Sequence, residues 1–402
     1  MRFASTHLVR FLSRHRSRAV FLSRGVLPLL FLIARIPTFS QAVPPEPDPL
    51  ARIRAESQAQ TQACSEAEPT LCAEAAPKII ANAMGSDSTI QKNLSILASG
   101  EGGHAMGAPA PQSVVDDVRV TDWAVAAFRA AGLDVHTESY AAPSNPAGSA
   151  PGQQAIEQEN VVAEIRGREK PDEIVILGAH LDTSVPANGA LDDYLDAAVV
   201  IEAARDIVAT GLVPRRTIRF VLFSANGDDS RMPASWAYAR DHRDEMDRTI
   251  AAIIFDEGAG HIASYSLGGR HDIEPGVREA LVPLDSLGAL VDTFDAPLAA
   301  DDLDFLLEGV PNLLVSQGSA RIISNFHPMS ATLENLDFGE LKRHAAIAGV
   351  TAFDVAEDVA PLGPRLSRAE IETLLTQSGL DQQMKTAGIW PLWESGQRGR
   401  QP

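Results

Sequence analysis

The sequence has no cluster of Lys and Arg after its first 40 residues, and its formal net charge is −19 at pH 7. A nucleic-acid partner needs a basic surface that neutralises the phosphate backbone, so nucleic acid is excluded as a partner. The hydrophobic content of 45% over 402 residues excludes disorder throughout. It allows one large domain with appendages, or two domains.

The beginning of the chain lacks an apolar run long enough to span a membrane. Residues 1–42 contain seven arginines and no acid. Their apolar stretch, from Gly25 to Ala34, is only about ten residues long, whereas a bilayer requires about 20. Small residues around Ser40 and Ala42 suit a cleavage site. We therefore expect a signal peptide at residues 1–42 and an exported protein, periplasmic or extracellular, with no stable membrane span; a retained anchor and a mis-assigned start codon are the alternatives.

Cysteine is scarce as well. Cys64 and Cys72 are the only two, and they lie eight residues apart in a polar segment. No third cysteine or nearby histidine completes a zinc-binding set, and in an exported protein such a pair is expected to form a disulfide. Because residues 43–80 are rich in Pro, Ala, Gln and Glu, we interpret them as a linker that contains this disulfide and leads to the first ordered helix.

Short apolar segments alternate with helical patterns from residue 160 onward. This alternation is typical of an α/β fold in which helices cover both faces of a sheet. The predicted strands are 161–166, 174–179, 218–223, 251–255, 289–293 and 312–315, and the predicted helices are 87–97, 114–131, 192–210, 234–247, 302–308 and 339–357. In such folds ligands bind beyond the carboxyl ends of the strands, so polar residues just after strand ends are the first candidates for a site.

Residues 361–402 form a tail with its own helix start. Ser367 and Glu370 have the spacing of a capping box ahead of an apolar helix. We expect this helix to pack on the main domain, and we expect the closing residues, among them Arg398 and Arg400, to be frayed.

Two motifs place polar residues at a strand end and at the following helix. His180 and Asp182 come directly after strand 174–179, and such a pair can bind a metal through the imidazole and orient the ring through the carboxylate. Taken alone, a His-x-Asp pair is more often an ordinary hydrogen-bonded pair. Asp192 and Asp193 then open an apolar helix. Asp192 is the better candidate for a bridging metal ligand, because an acid such as Asp193 is often only an N-cap.

Two further candidates obey the same rule of position. Asp256 follows strand 251–255 directly, and His327 lies in a loop after strand 312–315. Together with His180 and Asp192 they supply two imidazoles and two carboxylates, a set that suits divalent zinc. Manganese and cobalt accept the same ligand types, so the ligands alone do not identify the metal.

These motifs in this order resemble the co-catalytic di-zinc aminopeptidases, metallopeptidase family twenty-eight, and in particular the carboxypeptidase Q branch. The shared elements are Gly178-Ala-His-Leu-Asp182, Gly189-Ala-Leu-Asp-Asp193, the strand 216–223, Asp256 and Phe326-His327. The resemblance covers roughly residues 85–360. It implies a zinc-exopeptidase, phosphorylase/hydrolase-like fold: a mixed, mostly parallel central sheet flanked by helices on both faces. The catalytic domain is then expected at residues 81–360.

The resemblance also implies a role for each candidate. Asp192 would bridge two zinc ions. His180 would bind one of these ions together with an acid of the turn after strand 216–223, while Asp256 and His327 would bind the other ion. Asp182 would lie behind His180 and orient its ring.

The chain departs from the family pattern in that turn, where the family has two adjacent glutamates, a general base and a zinc ligand. Counted from the strand, these positions fall on Asn226 and Gly227; counted back from the next helix, they fall on Asp228 and Asp229. The second count makes Asp228 the base and Asp229 the ligand. Aspartate is one methylene shorter than glutamate, and a carboxylate must lie about 2.0–2.2 Å from zinc. The two counts differ by two residues, which implies an insertion in this turn. A working pair requires the inserted residues to move the turn inward; the alternative is an ordinary polar turn and a weakened or lost site.

The segments around the last candidates differ from the family pattern too. No acid follows His327 until Glu334, although the family usually has one four to six residues further on. Asp301, Asp302 and Asp304 lie where the family often has an aspartate near the substrate pocket. Three acids at a helix start are also commonly explained by compensation of the helix dipole.

The resemblance implies an exported zinc-dependent exopeptidase, of aminopeptidase or dipeptidase type, that hydrolyses terminal bonds of peptides with a free terminus through a zinc-bound hydroxide. One alternative is a single-zinc enzyme similar to the glutaminyl cyclases, and the other is an inactive relative that serves as a binding protein. Zinc content discriminates among the three: two ions per chain favour the first, one the second and none the third.

Overall fold

The computed structural model describes residues 71–98, 114–142, 156–181, 192–224, 232–256, 262–293, 298, 300–317, 333 and 336–402. Their eight strands form one sheet in the order β1-β2-β4-β3-β5-β8-β6-β7. The strands are β1 (Asp134–Ala142), β2 (Ile156–Ile165), β3 (Lys170–His180), β4 (Arg216–Phe223), β5 (Thr249–Phe255), β6 (Ile262–Ser266), β7 (Leu290–Thr293) and β8 (Asn312–Gln317). Across these ranges, no helix combines the length and the apolar character that a membrane span requires.

The centre of the sheet is parallel, and antiparallel pairs lie on both sides of it. β3 pairs in parallel with β4 and β5, and β5 pairs in parallel with β8. β1 is antiparallel to β2, which is itself antiparallel to β4. On the other side β6 is antiparallel to β8 and parallel to β7. The predicted fold class, a mixed and mostly parallel sheet, is confirmed.

Helices cover both faces of this sheet. They are α1 (Cys72–Met84), α2 (Ile90–Ala98), α3 (Val114–Ala130), α4 (Asp192–Ala209), α5 (Pro233–Asp241), α6 (Glu274–Leu281), α7 (Leu303–Leu307), α8 (Phe338–Glu357), α9 (Arg368–Ser378), α10 (Leu380–Thr386) and α11 (Trp390–Glu394). Strand β3 shows why both faces need covering, because successive side chains of a strand point to opposite sides. Val175 and Leu177 pack into a core with α1, α4 and α8, whereas Ile174 and Ile176 pack into a second core with α5 and α7.

Two strands had no counterpart in the sequence prediction. β1 is the edge strand, and Tyr140 is its only buried side chain among those whose burial is described. An exposed edge strand needs no apolar run, so its sequence carries little strand signal. β6 is five residues long and includes two serines; its backbone pairing with β8, which lies 46 residues or more further along the chain, stabilises it.

The tail beyond residue 361 is an integral part of the folded protein. A third apolar cluster joins α7 to α9, α10 and α11 around the fully buried Trp393. The predicted capping box is confirmed, since Ser367 and Glu370 exchange both of its hydrogen bonds. The expectation that the closing residues are frayed is wrong for Arg398, whose side chain is fully buried and forms two hydrogen bonds with Asp304, of 2.7 and 2.8 Å.

Helix α1 begins inside the segment interpreted as a linker. Cys72, its first residue, has its Sγ atom 4.0 Å from the carbonyl oxygen of Asp354 on α8. Cys64 lies outside the described residues, so the Cys64–Cys72 disulfide stays a prediction.

Candidate metal site and active site

The register of two neighbouring strands brings His180 and Asp256 to one edge of the sheet. Ala179 of β3 lies opposite Phe255 of β5 in a parallel ladder. His180 is the last residue of β3, and Asp256 is the first residue after β5. Carboxyl ends of parallel strands meet at the same edge, and the two predicted ligands therefore lie side by side.

Their separation suits a shared metal ion. The Nε2 atom of His180 lies 3.6 Å from the Oδ1 atom of Asp256, and the two side chains are 20% and 14% exposed. Two ligands of one tetrahedral zinc lie about 3.4 Å apart when each is about 2.1 Å from the ion. This geometry differs from the division implied by the resemblance, in which His180 and Asp256 bind different ions. Both residues fit one zinc at this edge.

The second oxygen of the Asp256 carboxylate is held by the backbone. The N–H group of Asp301 donates a hydrogen bond of 3.1 Å to Oδ2 of Asp256. A hydrogen bond of this kind orients a metal-binding carboxylate and leaves the other oxygen directed at the ion. Asp301 therefore supports the site through its main chain, a contact that its side-chain type could not have predicted.

The acids that follow Asp301 have specific buried partners. Asp302 is the N-cap of α7 but makes no side-chain capping bond; its Oδ2 atom accepts a 2.7 Å hydrogen bond from Asn312. Burial raises the pKa of Asp302 to about 8, and the nearby charge of Asp256 adds to the effect. Asp304 pairs with Arg398 and also accepts a 3.0 Å hydrogen bond from Ser235. Compensation of the helix dipole is therefore not the main role of these acids.

A buried asparagine joins the two ends of the turn that carries Asp228 and Asp229. The Oδ1 atom of Asn160 accepts a 3.1 Å hydrogen bond from the N–H group of Ser224, directly after β4. Its Nδ2 atom donates a 3.1 Å hydrogen bond to the carbonyl oxygen of Ala234, in the first turn of α5. Asn160 is 2% exposed. One amide thus ties the end of β4 to the start of α5, and both ends of the turn are defined.

The described ends of this turn have further features. The hydroxyl group of Tyr140 donates to the carbonyl oxygen of Ser224 and lies 2.7 Å from Oε1 of Gln158. Met232, just before α5, has a φ angle of 48°, a left-handed conformation that is uncommon for a residue other than glycine. The chain therefore enters α5 through a sharp change of direction.

Four predicted site residues lie outside the described residues: Asp182, Asp228, Asp229 and His327. Asp192 is the first residue of α4, in agreement with its predicted place at the helix start, but its side chain is not among those described. Within the described ranges, no three His, Cys, Asp or Glu side chains are grouped closely enough to hold a metal. The described part of the site is thus the pair His180 and Asp256 with its supporting contacts.

Sequence reasoning missed Asn160. An amide next to the apolar run at 161–163 of a strand is its only signal in the sequence, and this signal does not reveal that both partners lie more than 60 residues further along the chain.

The imidazole of His180 and the carboxylate of Asp256 lie at the carboxyl ends of adjacent parallel strands, the edge at which α/β folds bind their ligands. Residues 160–352 match Peptidase family M28. This segment of the chain is thus similar to this peptidase family, and the resemblance drawn from the motifs is confirmed.

Individual proteins agree with the family match. Carboxypeptidase Q of Rattus norvegicus is 28% identical over 207 residues, which are 51% of this chain and 43% of that protein. The match thus spans less than half the length of this relative.

Solved structures share the fold. A Peptidase M28 precursor from Shewanella amazonensis SB2B has a TM-score of 0.57 and 17% identity, covering 79% of this chain and 100% of that one. A zinc aminopeptidase from Bacillus subtilis has a TM-score of 0.52 and 13% identity, covering 69% and 97%. A glutaminyl cyclase from Porphyromonas gingivalis has a TM-score of 0.50 and 16% identity, covering 67% and 97%. Because hydrolases and a cyclase both have this fold, the fold alone does not select the reaction.

Proposed function

We propose that the protein is an exported zinc-dependent exopeptidase, of aminopeptidase or dipeptidase type, that acts on peptides with a free terminus. The observation that carries the proposal is the pair His180 and Asp256, 3.6 Å apart at the sheet edge and inside the segment that matches Peptidase family M28. The proposal is therefore supported by the geometry of the pair and by the family match.

The donor set suits zinc, and each described residue has a task in holding it. Zinc bound at this edge would polarise the scissile carbonyl group and lower the pKa of a water molecule. His180 offers an imidazole nitrogen and Asp256 a carboxylate oxygen, and both side chains are only partly exposed. The Asp301 N–H group keeps the Asp256 carboxylate turned toward His180. The site therefore needs no rearrangement of these three residues to accept an ion.

We assign the remaining roles by position in the sequence. Asp192, Asp229 and His327 would complete the ligands of two ions, with Asp192 as the bridge. Asp182 would orient the ring of His180. Asp228 would accept the proton of the attacking water and pass it to the leaving amine. The Asn160 contacts with Ser224 and Ala234 support this assignment, since they anchor both ends of the turn that carries Asp228 and Asp229.

Export is part of the proposal. Its support is the arginine-rich start of residues 1–42 and the small residues at the expected cleavage site. Sequencing of the amino terminus of protein recovered outside the cytoplasm would test it, and a start near Val43 is expected. An intact start at Met1 would contradict it.

The test of the function combines metal analysis with hydrolysis of a panel of aminoacyl-nitroanilides. We expect two zinc ions per chain in the wild type. Asp228→Asn should lower kcat by about 10²- to 10⁴-fold, the usual contribution of a general base, and should keep both ions. Asp229→Asn should lose one ion. Asp241→Asn, a change at an exposed aspartate of α5 that pairs with its neighbour Arg240, is the matched control and should behave like the wild type.

Three outcomes decide against the proposal. A protein that binds two zincs, is inert on every substrate and is unchanged by either substitution would contradict the catalytic assignment. One zinc per chain with cyclisation of amino-terminal glutaminyl peptides would favour the cyclase alternative. Absence of zinc binding would favour the inactive binding protein.

A further inference from the structure

We infer that Arg398, in the tail after α11, is a positioning residue for the metal ligand Asp256. It would act through Asp304, helix α7 and the backbone of Asp301. This inference rests on the proposed function for its consequence, but the contacts that carry it are independent of the metal.

The first contact is a buried ion pair. Arg398 and Asp304 have side chains that are 0% and 1% exposed. Two parallel hydrogen bonds join them, from Nε to Oδ1 at 2.7 Å and from Nη2 to Oδ2 at 2.8 Å. This fork geometry is specific for arginine, because lysine cannot form two parallel bonds to one carboxylate. Removal of either partner would leave a buried charge without compensation.

The residues after Arg398 hold the other end of α7. The N–H group of Arg400 donates a 2.8 Å hydrogen bond to the carbonyl oxygen of Leu307, the last residue of the helix. Gly399, with a φ angle of 79°, approaches so closely that an added Cβ atom would lie 2.8 Å from the Leu307 backbone. Residues 398–400 thus contact the first and the last turn of a helix only five residues long.

Helix α7 begins two residues after Asp301, whose N–H group donates to the Asp256 carboxylate. A helix of this length has too few internal hydrogen bonds to be stable by itself, so its position depends on tertiary contacts. Three contacts hold its start: Asn312 donates to the N-cap Asp302 at 2.7 Å, and Arg398 and the Ser235 hydroxyl group both donate to Asp304, the latter at 3.0 Å. Displacement of Asp304 would therefore move Asp301 and release Oδ2 of Asp256.

A second buried arginine pair offers a matched control. Arg270 and Asp272 are 1% and 3% exposed and form the same two parallel hydrogen bonds, of 2.8 and 2.7 Å. Arg270 also donates to the carbonyl oxygens of Gly309 and Pro364, beyond the end of α7. The two pairs are alike in burial and geometry, and they differ in whether they contact the first turn of α7.

The experiment compares full-length Arg398→Gln, Arg398→Lys and Arg270→Gln with the wild type, well below the lowest melting temperature of the four. Amide hydrogen exchange of residues 300–308 measures how readily α7 opens, and titration with Zn²⁺ measures metal affinity. We expect Arg398→Gln to raise exchange in this segment and to weaken zinc binding about tenfold, the lower end of the range for residues that orient metal ligands. Arg398→Lys should give exchange rates and a zinc affinity between those of Arg398→Gln and the wild type. Arg270→Gln should leave the exchange rates and the zinc affinity within about twofold of the wild type, despite a similar loss of stability.

Unchanged exchange and zinc affinity in Arg398→Lys and Arg398→Gln would overturn the inference, as would equal effects in Arg270→Gln. If Arg398→Gln does not fold, Arg398→Lys alone tests the inference, because it keeps the positive charge and loses only the two parallel hydrogen bonds to Asp304. If the wild type binds no zinc, the proposed function fails, and the exchange measurement still decides whether Arg398 positions α7.

Discussion

His180 Nε2 and Asp256 Oδ1 lie 3.6 Å apart at the ends of two parallel strands, a separation that matches two ligands of one zinc rather than of two. His180→Gln and Asp256→Asn should therefore each remove the same ion. The double variant should lose no more metal than either single variant. Metal analysis after dialysis measures this stoichiometry. His136→Gln, at a surface histidine that is 60% exposed, should retain the full complement. Losses that add up to two ions in the double variant would contradict the shared ion.

The Asn160 bridge gives a prediction for the catalytic turn. Asn160→Leu leaves the N–H group of Ser224 and the carbonyl group of Ala234 without this partner, at about 1–3 kcal/mol for each buried group. Because the turn carries Asp228, we also expect kcat to fall by up to about 10²-fold, the effect of a misplacement near 1 Å. Urea unfolding and steady-state kinetics measure the two effects.

Thr217→Val is the matched control for Asn160. The Thr217 hydroxyl group is also buried and also joins two segments: it accepts from Gly167 N–H at 3.0 Å and donates to the Pro171 carbonyl oxygen at 2.8 Å. It lies at the amino end of β4, away from the site. Thr217→Val should lower stability and spare kcat; an equal loss of kcat in both variants would mean that Asn160 acts only through stability.

His242 makes the free energy of unfolding depend on pH. Burial alone would lower its pKa, but hydrogen bonds with Glu138 and Glu245, at 2.8 and 2.9 Å, raise it above the usual value. The positive charge of Arg219 lowers the pKa of His242 but does not reverse this shift; the Tyr238 ring stacks on the imidazole. A raised pKa stabilises the folded state below the unfolded pKa of about 6.5, and the contribution is lost as pH rises through the folded value.

The free energy of unfolding should therefore contain a component that is fully present below about pH 6.5 and is lost as the pH rises above it. His242→Gln should remove this component, whereas His136→Gln at the surface should keep it. Denaturant unfolding at a series of pH values checks the difference. An identical pH dependence in wild type and His242→Gln would show that His242 is not responsible.

Substitutions at two glycines of the tail distinguish the energetic cost of backbone strain from the cost of steric overlap. Gly388 and Gly399 have φ angles of 72° and 79°; a Cβ atom at Gly388 meets nothing within 4 Å, whereas one at Gly399 would lie 2.8 Å from Leu307 and Trp393. Gly388→Ala should cost about 1–2 kcal/mol for the left-handed conformation, and Gly399→Ala about 1–3 kcal/mol more for overpacking. Thermal unfolding of both variants measures the difference. Equal costs would mean that the tail is not packed on α7.

Much of the fold could be predicted from the sequence because its strands are buried on both faces. Apolar runs such as 251–255 in β5 and 218–223 in β4 are complete signals for central strands. The edge strand β1 has no such run. Helix α5 is shorter than predicted: it was expected at 234–247 and is observed at Pro233–Asp241. The next residue, His242, contacts Glu138 of the distant strand β1, and helical periodicity does not reveal such a contact.

The candidate site could be predicted where a polar residue lies at the end of a strand or directly after it, as at His180 and Asp256. It was not predictable where support comes from distant parts of the chain. Asp301 acts through its N–H group, which every residue except proline has. Arg398 was expected to be frayed because it is near the end of the chain, yet a buried carboxylate 94 residues away binds it.

The most direct test of the account is the position of zinc in crystals of the protein, located by anomalous scattering at the zinc edge. The account predicts an ion within about 2.2 Å of both His180 Nε2 and an Asp256 carboxylate oxygen. An ion bound by His180 without Asp256, or zinc found only away from this edge of the sheet, would contradict it.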